Sequence, residues 1–352
     1  MTANNKTTVG IIFGGKSAEH EVSLQSAKNV YEAIDRNRFE PVLIGIDKNG
    51  IWRSTGGSLS LLNTEDPRSI SLNPNGTPVT LTPAGGGLLS AQTEKLKLDV
   101  VFPILHGPLG EDGTVQGLLK LAGVPFVGTG VLGSAVGMDK DAMKRLLRDA
   151  GLPIGKFLAF KSHEKIPSFA EIKTVLGSPL FIKPANMGSS VGINKVRSEA
   201  EFSNGVKEAF KYDVKIIIEE FIPGREIECA VLGNENPAAS IPGEVIPTHE
   251  FYSYDAKYID ENGARLEIPA KINDDCKKHV QELAVKVFQT LYCAGLSRVD
   301  FFLKENGEIL INEINTMPGF TKISMYPKLW EASGIGYTEL ISRLIELALQ
   351  NV

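Results

Sequence analysis

The chain has 352 residues, with 37 Lys and Arg against 42 Asp and Glu, for a formal net charge of −5. At 42% hydrophobic and 22% charged residues it has the composition of a globular protein of two or three domains, which excludes disorder as the main state. The acidic balance excludes a nucleic-acid clamp, and no apolar run approaches the roughly 18 residues of a membrane span.

Residues 1–8 are polar and lack an apolar signal-peptide core, so no targeting segment is expected. Val9 to Phe13 is a short apolar run closed by Gly14-Gly15, the pattern of a buried parallel strand turning into a helix. That helix carries Ala27, Val30, Tyr31 and Ile34 at helical spacing. Val42–Ile46 and Val100–Leu105 read as further strands, separated by a Gly/Ser/Thr/Asn/Pro-rich stretch, 50–95, read as a surface insertion with a few short strands. A helix with Leu118, Leu119 and Leu121 ends at Gly123, and Pro125-Phe126-Val127 is a short strand. Alternating strands and helices predict a doubly wound α/β first domain, 1–128. The next helix starts at Asp139 and stops at Gly151 with Pro153 beyond. Strands at 158–161, 180–183 and 215–219 predict a second domain, 129–219. The third, 220–352, holds a strand at 226–232, a helix capped by Asp275, a hairpin and a terminal helix. Cys229, Cys276 and Cys293 are few, odd in number and far apart, which predicts a reducing cytoplasm with neither disulfides nor a zinc site.

The hairpin is the most informative stretch. Asn306-Gly307 between apolar runs predicts a type I′ turn. A turn centred there pairs Asp300 with Glu313 and Arg298 with Asn315, and side chains two apart share a face. Like charges about 5 Å apart across strands destabilise a sheet. A hard divalent cation offsets that repulsion, with Asn315 as a third oxygen ligand, and magnesium held by few carboxylates usually also holds substrate phosphates. The other reading is a solvated strand face on which Arg298 screens Asp300. A three-residue loop would shift the register by one and break the pairing.

Lys183 ends a strand and leads into Pro184-Ala-Asn-Met-Gly188-Ser189-Ser190-Val-Gly192, where small residues let backbone N–H groups approach phosphate oxygens and Lys183 adds a point charge. Read alone, this is equally a flexible turn, and Lys140 an exposed helix lysine. A lysine–phosphate pair gains about 1 kcal/mol in bulk water but about 4 kcal/mol at an effective dielectric of 20, so the Gly-rich loop is expected to act as a lid. Gly128-Thr-Gly130-Val-Leu-Gly133 matches a dinucleotide-binding spacing, but the acidic residue that should follow on a second strand is missing. Asp149 lies in an amphipathic helix, so the glycines read as a tight interdomain turn.

Taken together, Gly14-Gly-Lys-Ser-Ala-Glu19-His-Glu-Val-Ser23, His106-Gly-Pro-Leu-Gly-Glu-Asp-Gly113, Lys183–Gly192, Arg298-Val-Asp300 and Asn312-Glu-Ile-Asn-Thr-Met-Pro-Gly319 resemble the signatures of D-alanine–D-alanine ligases, in order and over nearly the whole chain. The resemblance implies a three-domain ATP-grasp fold with ATP between the second and third domains. It also implies phosphoryl transfer from ATP to one D-alanine carboxylate and attack by the amine of a second. Asp300, Glu313 and Asn315 would bind magnesium, two ions in the family, with manganese able to substitute. Lys140 and Lys183 would hold ATP phosphates with Ser189, Ser190 and Lys257. Glu219, Glu220, Phe221 and Ile222 would line the adenine site, and Glu226 would take the ribose.

Arg298 and the Gly319 N–H resemble an oxyanion site. Glu19 would bind the first substrate's ammonium beside His106, and Ser324 the second substrate's carboxylate. Tyr258, in the loop 252–258, would join Ser189 and Glu19 on closure, and Lys257-Tyr258 would favour an amine acceptor. Met325, where leucine is familiar, would border the second pocket. A homodimer is implied. The alternatives are a D-lactate- or D-serine-accepting ligase, a catalytically silent ATP-binding protein and, from the glycines alone, a nicotinamide dehydrogenase.

Overall fold

The computed structural model describes residues 6–55, 62–63, 70–91, 95–247 and 264–350. The loop 252–258, with Lys257 and Tyr258, lies outside them. The first sheet contains strands β1 (Thr7–Gly14), β2 (Phe39–Ile46), β3 (Trp52–Ser54), β4 (Thr77–Pro78) and β5 (Val100–Ile104), in the order β5-β1-β2-β3-β4. Strands β5, β1 and β2 are parallel, with Val9 paired to both Val100 and Pro41, and β3 runs antiparallel to β2. Val9, Ile11, Ile12 and Phe13 are fully buried because helices cover both faces. Helix α1 (His20–Ala33) packs on one face, and α2 (Thr114–Leu121) on the other through Val115 and Leu119. The expected strand at 125–127 is a single parallel bridge, Val101 to Phe126.

Helices α3 (Val131–Met138) and α4 (Lys140–Asp149) follow. Asp139 caps α4 by accepting hydrogen bonds from the N–H groups of Asp141 and Ala142. The second sheet is wholly antiparallel. It holds β6 (Phe157–Lys161), β7 (Leu180–Pro184), β8 (Asn194–Val196) and β9 (Lys215–Glu220), in the order β6-β9-β7-β8. Helices α5 (Phe169–Leu176) and α6 (Glu199–Ala209) pack against it.

The third sheet is also antiparallel. Strands β10 (Arg225–Gly233), β11 (Ala238–Ala239), β12 (Gly243–Pro247), β13 (Ala264–Glu267), β14 (Gly295–Leu303) and β15 (Ile309–Asn315) run in the order β13-β12-β10-β14-β15, with β11 on β10. One face buries Ile227, Cys229, Val231, Val299 and Phe301 against α7 (Asp274–Thr290) and against Met143 and Leu147 of α4. The cap of α7 is Asn273, which accepts from the Cys276 N–H at 2.8 Å; the expected cap, Asp275, lies in the first turn instead. On the other face, Ala230, Leu232 and Leu296 join α8 (Met325–Ala332), α9 (Tyr337–Gln350) and the α1 side of the first sheet in one core. The terminal helix thus ties the last third of the chain to the first. The same face continues into a polar end carrying Glu226, Glu228, Arg298, Asp300, Glu313 and Asn315.

Candidate active site

The hairpin pairs Asp300 with Glu313 and Arg298 with Asn315, as expected, but by another route. The loop has three residues. Lys304 N–H bonds Glu308 C=O at 2.9 Å, and only Gly307 takes a left-handed φ, 84°. Near the turn, Leu303 therefore pairs with Ile309 and Phe301 with Ile311, one step out of the expected register. A bulge then leaves Asn312 unpaired and restores the register. The core demands this. Ile309, Ile311 and Ile314 all face α7, so the two-residue alternation must break between 311 and 314.

Glu228 on β10 lies opposite Asp300, so three carboxylates form a row across three strands. Arg298 neutralises two of them. Its Nε and Nη2 donate to Asp300 at 2.7 Å each, and its Nε lies 2.9 Å from Glu228. The Asn315 amide donates to Asp300 at 2.9 Å. Glu313 faces Lys140 at 3.9 Å, and Lys140 Nζ donates to the Met187 carbonyl at 2.6 Å. The Lys140 N–H also bonds the Ala185 carbonyl at 3.0 Å, so the start of α4 is stitched to the Gly-rich loop.

Within that loop Ser189 and Ser190 adopt left-handed φ values of 49° and 62°, uncommon for residues with a Cβ. The turn presents the Ser189 hydroxyl to Glu19, to which it donates a hydrogen bond. Glu19 is positioned by the glycine turn after β1. A Cβ on Gly14 would stand 2.2 Å from the Ile46 carbonyl oxygen, so only glycine fits this turn. His106 is buried, and its Nδ1 lies 3.1 Å from the Met317 carbonyl. That bond assigns the proton to Nδ1 and leaves Nε2 an acceptor without a partner among the described residues. Burial pulls the His106 pKa down, against the opposing pull of Glu19. Gly107 N–H donates to Glu111 at 2.7 Å. Burial first, then the charge of Glu19, pushes the Glu111 carboxyl up to about 8.

Glu219 stands between two lysines, Lys183 at 2.6 Å and Lys144 at 2.8 Å. Burial alone would raise its pKa, but Lys144 and Lys183 hold it well below the usual carboxylate range. Burial likewise opposes the Lys183 charge, yet Glu219 and Glu313 keep its pKa above the ordinary value. Phe221 lies near Phe181, with ring centroids 6.2 Å apart, and Lys195 Nζ sits 4.5 Å above the Phe221 ring. Glu220 accepts from the Lys156 N–H at 2.7 Å, and Ile222 packs over Gly155. Glu226 lies on β10, paired with Phe302. The Ser324 hydroxyl accepts from the Thr321 N–H at 3.1 Å beside Gly319. Met325 is 5% exposed and sits in the core with Phe320, Tyr326 and Leu329. The glycines at 128–133 form the packed turn into α3. A Cβ on Gly133 would meet the Tyr292 carbonyl at 2.6 Å.

Sequence reading missed Lys144, Glu228 and Glu111. The signal for Lys144 was its position in α4, one turn from Lys140 and beside the core residues Met143 and Leu147. For Glu228 it was an acid in an otherwise apolar strand, and for Glu111 its place within His106–Gly113.

The residues 8–129 match the family model described as D-ala D-ala ligase N-terminus, and 146–346 match D-ala D-ala ligase C-terminus. A D-alanine–D-alanine ligase of Oceanobacillus iheyensis is 57% identical over 350 residues, covering 98% of this chain and 96% of that protein. The solved D-alanine–D-alanine ligase of Coxiella burnetii superposes with a TM-score of 0.87 at 37% identity, covering 98% of this chain and 94% of that one. The VanG D-Ala:D-Ser ligase of Enterococcus faecalis gives 0.87 at 39% identity, covering 98% and 100%. With both halves matched and identity this high over nearly its full length, the chain belongs to the D-alanine–D-alanine ligase family.

Proposed function

We propose that this chain is an ATP-dependent, ADP-forming ligase that makes D-alanyl-D-alanine for peptidoglycan precursors, working as three units at 1–128, 129–219 and 220–352. The observation that carries the reading is the bond from Ser189 to Glu19, which ties the lid over the phosphate-binding lysines to the pocket for an amino acid. Glu19 takes the ammonium of the first D-alanine, and His106, whose buried Nε2 has no partner among the described residues, sits beside that substrate. A carboxylate oxygen of that substrate attacks the γ-phosphorus of ATP, and ADP leaves with the bridging oxygen. Lys140 and Lys183 hold the phosphates with the backbone of Ser189 and Ser190, and Lys257 joins them from the loop outside the described residues. Glu219, Glu220, Phe221 and Ile222 border the adenine, and Glu226 takes the ribose. The free amine of the second D-alanine then attacks the acyl-phosphate carbonyl. Arg298, its plane set by Asp300 and Glu228, and the Gly319 N–H stabilise the developing oxyanion. Ser324 receives the acceptor carboxylate, beside Met325. Inorganic phosphate leaves, the amine loses its proton and the amide remains.

Asp300, Glu313 and Asn315 fit magnesium, because two carboxylates and an amide oxygen on one face, with Glu313 3.9 Å from Lys140, are the partial oxygen shell that this ion completes with phosphates and water. When bound, magnesium neutralises charge on the transferring phosphoryl group, and manganese can substitute. We place the reaction in the cytoplasm, where ATP and the free thiols of Cys229, Cys276 and Cys293 coexist, and infer a homodimer. Among the described residues no helix is long and apolar enough to cross a membrane.

Incubation with ATP, Mg²⁺ and D-alanine should yield ADP, phosphate and dipeptide in equal amounts. No dipeptide from folded protein overturns the proposal, and ATP binding without turnover would identify a silent binding protein. The likeness to a D-Ala:D-Ser ligase favours one second reading, a D-serine acceptor. Competition among D-alanine, D-serine and D-lactate separates them by the product formed, and a second pH value sets D-lactate apart, because only the amines lose nucleophilicity on protonation.

A further inference from the structure

Lys144 takes no part in the chemistry above, yet it is 3% exposed and, among the described residues, its ion pair is with one group, the Glu219 carboxylate at 2.8 Å. Glu219 cannot withdraw from that site. Its backbone is clamped in β9 between Phe157 of β6 and Phe181 of β7. Lys183 holds the other carboxylate oxygen at 2.6 Å. Two buried ammonium groups therefore share one carboxylate. Their environments differ, because Lys183 also feels Glu313 and Glu226 on the phosphate side, whereas Lys144 projects from α4 beside the core residues Met143 and Leu147.

We propose that Lys144 is a positioning residue that retains the Glu219 carboxylate as a fixed acceptor when Lys183 turns to the nucleotide's phosphates, and thereby sets selectivity for a purine with a 6-amino group. The inference rests on the nucleotide reading above. Removing the sole partner of a buried charge is strongly unfavourable, so a second counter-ion makes the release of Lys183 cheap. A carboxylate that stays ionised can only accept hydrogen bonds. It pairs with the 6-amino group of adenine and repels the 6-carbonyl of hypoxanthine. A carboxyl group without Lys144 takes up a proton once Lys183 departs, and an acid can donate to that carbonyl.

The test is steady-state kinetics of the full chain with ATP and with ITP, both with Mg²⁺ and D-alanine. In Lys144→Met we expect KM for ATP to rise about tenfold with kcat within about threefold, and the ATP-over-ITP preference in kcat/KM to shrink about tenfold. Lys144→Arg should restore most of the preference. In a Glu219→Gln background, Lys144→Met should change the preference no further. If the methionine variant does not fold, Lys144→Gln, which keeps a polar group in the buried site, gives the same readout. Unaltered preference in a folded variant, or an equal further loss in the Glu219→Gln background, overturns the inference while ATP turnover by the parent chain stands. A parent chain that uses neither nucleotide overturns the proposed function, and this inference with it.

Discussion

Asp300 and Glu313 are direct cross-strand partners, and they remain so only because Asn312 bulges out between them and the turn. The three-residue loop at Gly307 displaces the pairing by one residue, and the bulge displaces it back. With the three-residue loop and no bulge, Glu313 would face α7 among Ile309 and Ile311, and Ile314 would face the polar end of the sheet. The two acids stand together at the cost of mutual repulsion, relieved on one side by Arg298 and on the other by Lys140.

Glu313→Gln keeps the shape and removes the charge. Turnover is expected to fall roughly 10²–10³-fold, the usual consequence of losing one preorganised electrostatic contact. The thermal midpoint should hold or rise, since a like-charge pair is removed. ADP release across a magnesium titration checks this, and unchanged turnover would remove the metal assignment.

Glu111 links stability to pH. Burial and the charge of Glu19 raise its folded pKa to about 8, above the ordinary carboxylate value of the unfolded chain. The folded state then binds the proton more tightly, so the contribution is fully present below the unfolded pKa and is lost as pH rises through about 8. Glu111→Gln, which can still accept from the Gly107 N–H, should match the parent's melting temperature near pH 4 and exceed it progressively up to about pH 8. Parallel melting curves across that range would contradict this.

Ser189→Ala removes the hydroxyl that bonds Glu19. A hydrogen bond to a charged group contributes about 1.5–3 kcal/mol, so kcat/KM for D-alanine should fall about ten- to a hundredfold. If the bond orders the substrate-bound lid, KM should carry more of the loss than kcat. A change confined to ATP affinity would point to a phosphate role alone.

Tyr292 follows the end of α7 with φ at 54° and is 64% exposed. Glycine adopts that conformation without the Cβ clash, so Tyr292→Gly should stabilise the chain by about 1 kcal/mol without altering turnover. Urea unfolding measures the shift, and a lower midpoint would mean that the exposed ring contributes packing.

The sequence by itself determined the local elements and the motifs they carry. The glycine turn after β1, the lysine at the end of β7 and the acidic pair on the hairpin are short-range patterns, set by backbone sterics and by which side chains share a face. Even the bulge left a trace, since apolar positions 309, 311 and 314 change parity. Only the tertiary structure decided which charges meet. Lys144 reaches Glu219 because α4 docks where its core side chains fit, and Glu228 joins Asp300 because β10 lies beside β14. The terminal helix covers the first sheet for the same kind of reason. Such contacts join residues far apart in the chain, and strand order and helix docking, settled by burial of the whole apolar surface, leave no local spacing from which to read them.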